Sequence, residues 1–523
     1  MHSNFYKAGL ALCLLTLLGG SILQILCGVS FPGKGSGSEW GLDDAYISYR
    51  YAENLVRGEG LVFNPGERVE GYSNFLYVLA VAPAFWVTDR DGVYFFSVLL
   101  NLVCALGALG LFSNHLRRSM GERAALAGSL LFALCLPLWA AVGSGLETCL
   151  VLLISMAIWV CVERVAVNPT RGNTLTLAVL AVLSPLARVD GFLVPGIAIL
   201  YLLLKRRIRP ATLCAVGLLA TQGLYELWRL AYYHALYPTS YYVKVAGPIL
   251  ARLSFAGVEL CKIALLEGLL PYILILLLLV VESIYGLSKR QPESLRPFRF
   301  EILLAPLWIA YWFYIGGDHF WDRFLVILFP LGIFALLSAC EKIPNPRMAV
   351  YGIVLLAALQ VGLPCLTDPR FDFGFNKFDA SIETGKFLRE KYPGRTLAVA
   401  ALGKMPFFSG LYSHDVLGLA DPVIAHLPVS TALFDPGHLK FDPDYTLSRK
   451  PDLLALSILP NRDLVWGLSR AKYERAGYRL EYLVDTGRPP HPGPHIVEVG
   501  SLDENSVYRF IVDGFDLAIL AKN

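Results

Sequence analysis

Eleven apolar runs fall within the first 364 positions, and so many in succession commit the chain to a bundle of membrane helices. They lie at Ala8–Val29, 93–112, 122–142, 147–165, 174–187, 191–204, 211–232, 263–282, 301–316, 322–339 and 347–363. A crossing takes roughly 20 apolar residues, fewer where neighbouring protein shields the segment. The first run exceeds the 7–15 residues of a signal-peptide core, so it reads as a retained anchor. A further stretch, Ser73–Thr88, is short and interrupted by Pro83, and is expected to lie on or dip into the outer surface. With that assignment the cytoplasmic loops hold Arg117/Arg118/Arg123, Lys205/Arg206/Arg207/Arg209 and Lys289/Arg290/Arg296/Arg299. That is the positive-inside pattern. An odd number of spans then puts the end of the chain outside. Counting Ser73–Thr88 as a twelfth span would place those basic clusters outside instead.

Charge divides the chain in two. Residues 365–523 hold 18 basic and 20 acidic side chains, about 24% of that stretch, against about 13% for residues 1–364. The first figure is that of an ordinary soluble domain. We therefore expect a membrane region, 1–364, with a first external loop at 30–92, and a soluble α/β domain, 365–523. A net charge of +3 over 523 residues gives no argument for nucleic-acid binding. The ten cysteines form no C-x-x-C pair, and most sit in apolar runs, so no disulfide framework or zinc site is read. Gly33-Lys34-Gly35-Ser36-Gly37-Ser38 lacks the Walker spacing and reads as a linker. In the tail, Ser381–Lys391 is expected to be helical, and Leu397–Ala401, Leu453–Ile458 and Val507–Val512 to be strands.

Polar residues in a membrane region are costly, so those that persist are candidates for function. Here they gather on the outer face. The clusters are Gly41–Tyr51 with Asp43-Asp44, Gly145-Leu146-Glu147, Arg188-Val189-Asp190, Tyr232–Lys244 and Gly316–Arg323 with Asp318, His319 and Asp322. Each has a plain structural reading. One carboxylate of Asp43-Asp44 could cap the helix announced by Ala45, Tyr49, Ala52 and Leu55/Val56, which leaves the other without a structural task. Glu147 could face a helix dipole. Arg188 and Asp190 could pair with each other, and Asp318, His319, Asp322 and Arg323 could be interfacial caps. His491 and His495 read as surface loop. Paired carboxylates beside cations suit transfer of a group from an anionic lipid carrier to a hydroxyl. A carboxylate can take a proton or steady charge at a sugar's anomeric carbon, and Arg or Lys can hold the departing phosphate. Tyr46, Tyr72, Trp312 and Trp321 could pack against a sugar ring or prenyl chain. Nucleotide sugars are cytoplasmic, so an outward-facing transferase would use a lipid-phosphate sugar.

The run Asp43-Asp44-Ala45-Tyr46-Ile47-Ser48-Tyr49-Arg50-Tyr51-Ala52, continuing through Gly60–Asn74, resembles a bacterial family that includes the terminal β-(1→2)-arabinofuranosyltransferases of the mycobacterial cell wall. These are C-fold (GT-C) glycosyltransferases. The likeness recurs at Gly145-Leu146-Glu147-Thr148, at Arg188-Val189-Asp190-Gly191 (where Pro would be expected in place of Val189), at Tyr237-Pro238-Thr239-Ser240 with Lys244, and at Gly316-Gly317-Asp318 with Arg323-Phe324. It is looser at Gly418–Pro422. The resemblance implies a polytopic α-helical GT-C-like membrane protein of about 11 transmembrane helices in a bacterial plasma membrane, with an extracytoplasmic site and C-terminal α/β domain. It implies a polyprenyl-phosphate sugar donor such as decaprenyl-phospho-arabinose, and an envelope glycan, lipid or protein acceptor. It ties catalysis to Asp43 with Asp44 as partner. Substrate binding is expected at Arg50, Tyr72, Glu147, Arg188, Asp190, Lys244, Asp318, His319 and Arg323. No cofactor is assigned; a divalent cation is left open. The rival readings are a lipid-linked-sugar transporter, for which no paired inverted halves are visible, and a non-catalytic assembly protein.

Overall fold

The computed structural model describes residues 2–27, 40–288, 299–318, 320, 323–367, 379–429, 434–486 and 495–522. Seventeen helices fill the chain up to Thr367 among these residues. They are α1 His2–Cys27, α2 Asp43–Val56, α3 Phe75–Val81, α4 Ala84–Val87, α5 Val93–Met120, α6 Glu122–Ala133, α7 Leu136–Gly143, α8 Thr148–Val167 and α9 Arg171–Ala187. There follow α10 Leu193–Leu204, α11 Ile208–Tyr233, α12 Thr239–Lys244, α13 Ile249–Leu266, α14 Leu270–Ser288, α15 Phe300–Ile315, α16 Leu328–Cys340 and α17 Pro346–Thr367. Their shared apolar core runs from Phe112, Phe132 and Trp159 to Tyr272, Trp308 and Phe329. This is a multi-pass membrane protein.

Each expected run overlaps one helix or a bent pair of helices, but among the described residues the long single spans are fewer than eleven. Among the described residues four are long and apolar enough alone, at Asn4–Leu26, Val93–Met120, Thr148–Val167 and Arg347–Leu366. Two bent pairs raise the number to six. Others are only 10–17 residues long, and α9 and α15 carry internal Pro185 and Pro306. The expected span 263–282 is not one helix. The chain turns by 112° between α13 and α14, where Gly268 has φ +71° and a Cβ would sit 3.0 Å from the Gln360 backbone. The run 122–142 likewise bends by 53° between α6 and α7. Ser73–Thr88 forms the two short helices α3 and α4, and Trp86 and Val87 at its tip are exposed. The linker at 33–38 lies outside the described residues.

The tail contains a six-stranded sheet: β1 Thr396–Val399, β2 Tyr412–Asp415, β3 Leu453–Ser457, β4 Tyr478–Val484, β5 Ile496–Glu498 and β6 Leu517–Lys522. The order is β2-β1-β3-β6-β4-β5, parallel across β2, β1 and β3 and antiparallel beyond. Helix α18, Ala380–Lys391, starts where the Asp379 carboxylate accepts the Ser381 and Ile382 N–H groups. The expected strand Val507–Val512 is instead the end of a helix, Glu504–Val512. Asp503 caps it through the Ser506 N–H, and Val507 and Ile511, four apart, turn inward. A short apolar segment suits either element, and here the four-residue spacing of its buried side chains is helical. The true neighbouring strand is β6.

The first loop and the tail are sewn together by buried polar contacts. Arg50 donates to the carbonyls of Phe63 (2.8 Å), Pro406 (2.6 Å) and Leu411 (2.7 Å). Asn64 donates to the Ser413 carbonyl and accepts the Ser413 N–H. On the other flank Glu70 and Arg229, both almost fully buried, pair at 2.6 Å. The tail therefore fixes where α2 begins.

Candidate active site

Both Asp43 and Asp44 stand in the first turn of α2, and neither caps it. The cap position is Leu42, with no side-chain cap bond. The capping expectation is thus corrected: the helix starts two residues earlier than Ala45, and both carboxylates are turned to other partners. Asp43 accepts the N–H groups of Gly403 and Lys404, each at 2.8 Å, at the head of helix α19, Lys404–Ser409. Asp44 accepts from Lys244 Nζ at 2.7 Å. Burial pushes the Asp43 carboxyl up to about 6; the Lys404 N–H opposes the rise and the Asp44 charge adds to it. Burial would lift Asp44 too, but the cations of Lys244 and Arg323 outweigh it and hold Asp44 below the usual carboxylate range.

Asp44 lines a cavity of about 410 Å³ at the α2 end of the bundle; Asp43 does not line it. The same wall carries Tyr72, Glu147, Arg188, Asp190, Lys244, Asp318 and Arg323, so seven of the nine residues expected to bind substrate converge there. His319, with Trp321 and Asp322, lies outside the described residues. Arg50 is not part of it: its guanidinium is spent on the backbone carbonyls that join loop and tail. Trp312 is buried and donates to the Ala256 carbonyl, and Tyr46 is buried with its hydroxyl on the Trp40 carbonyl, so neither faces the cavity. His495 stands in a bend before β5, half-buried, and bonds Asp485. His491 lies outside the described residues.

The charges are paired in the way that burial demands. Arg188 grips Asp190 through two bonds, 2.6 and 2.8 Å, with its guanidinium 4.0 Å above the Phe324 ring. The plain reading of this pair is what the structure displays. Arg323 grips Asp318 in the same bidentate fashion. Glu147 accepts from Asn74 Nδ2 at 2.8 Å, and Ser48 holds the other end of that amide. Around these groups the backbone is tightly braced: Gly145, with φ +75°, offers its carbonyl to the hydroxyls of Tyr49 and Tyr77. The wall also carries Phe192, Tyr311 and Tyr314, which were not anticipated, among aliphatic side chains such as Ile47, Leu146 and Leu419. The Tyr311/Tyr314 spacing of three, at the end of an apolar run, was their only trace in sequence. Lys404 and its buried ion pair with Asp379 were also missed; neither belongs to a motif. Among the described residues no group of three or more His, Cys, Asp or Glu side chains is placed to hold a metal ion.

A helical membrane bundle whose first long loop and sheet-containing tail enclose a charged cavity at one end has the C-type glycosyltransferase fold. ArnT from Cupriavidus metallidurans bound to undecaprenyl phosphate matches 100% of this chain and 98% of its own, with TM-score 0.56 and 11% identity. The Archaeoglobus fulgidus oligosaccharyltransferase in its apo form matches 94% of this chain and 74% of its own, with TM-score 0.54 and 11% identity. By sequence the chain is similar to the terminal beta-(1->2)-arabinofuranosyltransferase of Mycobacterium tuberculosis, 27% identical over 376 residues, which is 62% of this chain and 57% of that protein. The enzyme of the same description from Corynebacterium glutamicum is 26% identical over 255 residues, 44% of this chain and 37% of its own. The chain thus aligns to a little over half the length of the first of these relatives, and to less of the second. A domain of unknown function, DUF8728, matches residues 375–496.

Proposed function

We propose that this chain is an integral membrane glycosyltransferase that moves a sugar from a polyprenyl-phosphate donor to a cell-envelope glycan, lipid or protein. The observation that carries the reading is Asp44, bonded to Lys244 and held below the usual carboxylate range by Lys244 and Arg323, on the wall of a cavity where Tyr72, Tyr311 and Tyr314 also stand. Lys244 and Arg323 would take up charge on the departing phosphate. As the bond from the anomeric carbon to phosphate oxygen breaks, the acceptor hydroxyl attacks that carbon and becomes acidic. Asp44 is then the carboxylate placed to receive its proton. Relative to the sequence expectation the roles of the pair exchange: Asp44 faces substrate, and Asp43 ties the start of α2 to the tail. The curated relatives supply arabinofuranose as the sugar to try first. Basic residues at the opposite end of the bundle support an extracytoplasmic site and tail in a bacterial plasma membrane, and a boundary near residue 364 between membrane region and tail.

The test is to incubate the purified full chain with a panel of labelled polyprenyl-phosphate sugars and an envelope acceptor extract. Label appearing in acceptor, with equimolar free polyprenyl phosphate, is the expected result. Donor moved across a vesicle membrane intact, with no label transferred, would replace the reading by the transporter.

A further inference from the structure

A second cavity, of about 680 Å³, lies at the far end of the same helices. Helix α8 begins beside Glu147 at the candidate active site and ends at Val167 beside this second cavity. Twenty helical residues span about 30 Å, the hydrocarbon thickness of a bilayer. The two cavities are therefore separate places on opposite membrane faces.

The second cavity is strongly charged and incompletely paired. Glu163 is satisfied, accepting the Phe300 N–H at 3.1 Å and the Tyr201 hydroxyl at 3.0 Å. Glu301 is not. Its side chain is 1% exposed, Oε1 has no hydrogen-bond partner, and the nearest cation, Arg299, is 3.8 Å away and bonds Ser338. The buried Nε2 of His115 also lacks a partner, its ring lying between Trp159 and Phe334. Arg118 and Arg164 line the same space and form no ion pair among the described residues. A buried carboxylate oxygen without a donor is costly, and two guanidiniums that face a cavity shared with Glu163, Glu301 and Glu341, yet pair with none of them, are open to an anion.

We infer that this cavity is a binding site for a phosphate ester whose substituent carries hydroxyl or ammonium donors, with Arg118 and Arg164 on the phosphate and Glu301 and His115 on the donors. The volume supports a substituted phosphate: at about 30 Å³ per water it holds many times what a bare phosphate would need. Two sources share this chemistry, a phospholipid headgroup of the adjoining leaflet and a soluble phosphorylated polyol. The inference does not depend on the transferase reading, since none of its residues lines the candidate active site.

The full chain in detergent would be titrated with two probes, short-chain dihexanoyl phosphatidylethanolamine and glycerol 1-phosphate, with glycerol as control, while its melting temperature is followed. A saturable rise with at least one probe is expected. Response to the lipid alone identifies the leaflet as source, and response to both identifies the shared phosphate ester. Arg164→Ala should weaken binding roughly ten- to a hundredfold, the effect of one charge-assisted bond. Glu301→Gln should melt at or above the wild-type temperature without probe and still bind more weakly. No saturable response to either probe, or equal affinity in wild type and both variants, overturns the inference.

Discussion

Replacing Gly403 by alanine should loosen the seam between the tail and the first loop without touching the cavity itself. Gly403 has φ −85° and ψ −95°, outside the broad allowed regions. A Cβ built there would stand 1.8 Å from the Asp43 carbonyl oxygen and 2.7 Å from its carboxyl carbon. Real Cβ contacts essentially never fall below 3.0 Å, so the two backbones must part by at least 1.2 Å. The Gly403 and Lys404 N–H groups, each 2.8 Å from the Asp43 carboxylate, would then be carried out of hydrogen-bond range. Bonds to a charged group contribute about 1.5–3 kcal/mol each, so losing both costs about 3–6 kcal/mol. At about 1.4 kcal/mol per decade, opening of this junction becomes more than a hundredfold easier. Amide hydrogen exchange at Gly403–Lys404 reads that opening directly. The control is Gly172→Ala, where a Cβ meets nothing within 4 Å. Exchange at the junction within about threefold of wild type, the working limit for this comparison, would show that the close approach does not hold the seam.

Lys244→Ala and Arg323→Ala should each raise the donor's apparent KM about ten- to a hundredfold by losing one charge-assisted phosphate bond; kinetics against donor concentration checks both. Arg188→Ala leaves Asp190 buried without its partner and should lower stability by about 3–5 kcal/mol. The double variant Arg188→Met/Asp190→Asn should recover most of that loss in thermal melting. Asp415 is buried, its carboxyl pushed up to about 6 by burial against the pull of the Ala420 and Leu417 N–H groups. Between pH 3.8 and 6 its folded form holds a proton that the unfolded form has released, so its contribution to stability falls as pH rises through that window. The stability of wild type relative to Asp415→Asn, read from melting curves, should therefore decline by at most about 3 kcal/mol from pH 4 to 6.5 and then level; a rise over that range contradicts the assignment.

Much of the bundle was legible because apolar runs of helical length leave few alternatives. The breaks were less so. At the turn, a Cβ on Gly268 would meet the Gln360 backbone at 3.0 Å, a contact between distant segments that no local window contains. The cavity was readable where charges stand out against apolar sequence, as with Glu147, Arg188, Lys244 and Arg323. The carbonyl partners of Arg50 were not legible, because a cation within a motif carries no sign of whether it meets substrate or backbone carbonyls. The different partners of Asp43 and Asp44 were hidden for a similar reason. Adjacent residues in a first helical turn point about 100° apart, and only the arrival of Gly403 and Lys404 from the tail decides which carboxylate is occupied. At Glu504–Val512, four apolar residues in a short segment suited a strand as well as a helix. The Asp503 cap and the inward Val507/Ile511 spacing decided it.

The central claim is that Asp44 is the carboxylate that acts on substrate, and the most direct measurement is single-turnover transfer from labelled polyprenyl-phosphate sugar by Asp44→Asn and Asp43→Asn proteins. Asparagine keeps the shape of the side chain but neither takes up a proton nor carries charge. Removing a positioned base costs about 10²–10⁴ in rate, so Asp44→Asn should fall by at least a hundredfold with its melting temperature little changed. Asp43→Asn, which still accepts one of the two N–H groups, should lose less turnover and show faster exchange at Gly403–Lys404. Full specific activity in a correctly folded Asp44→Asn protein, or a larger loss in Asp43→Asn with the junction amides still protected, would contradict the account.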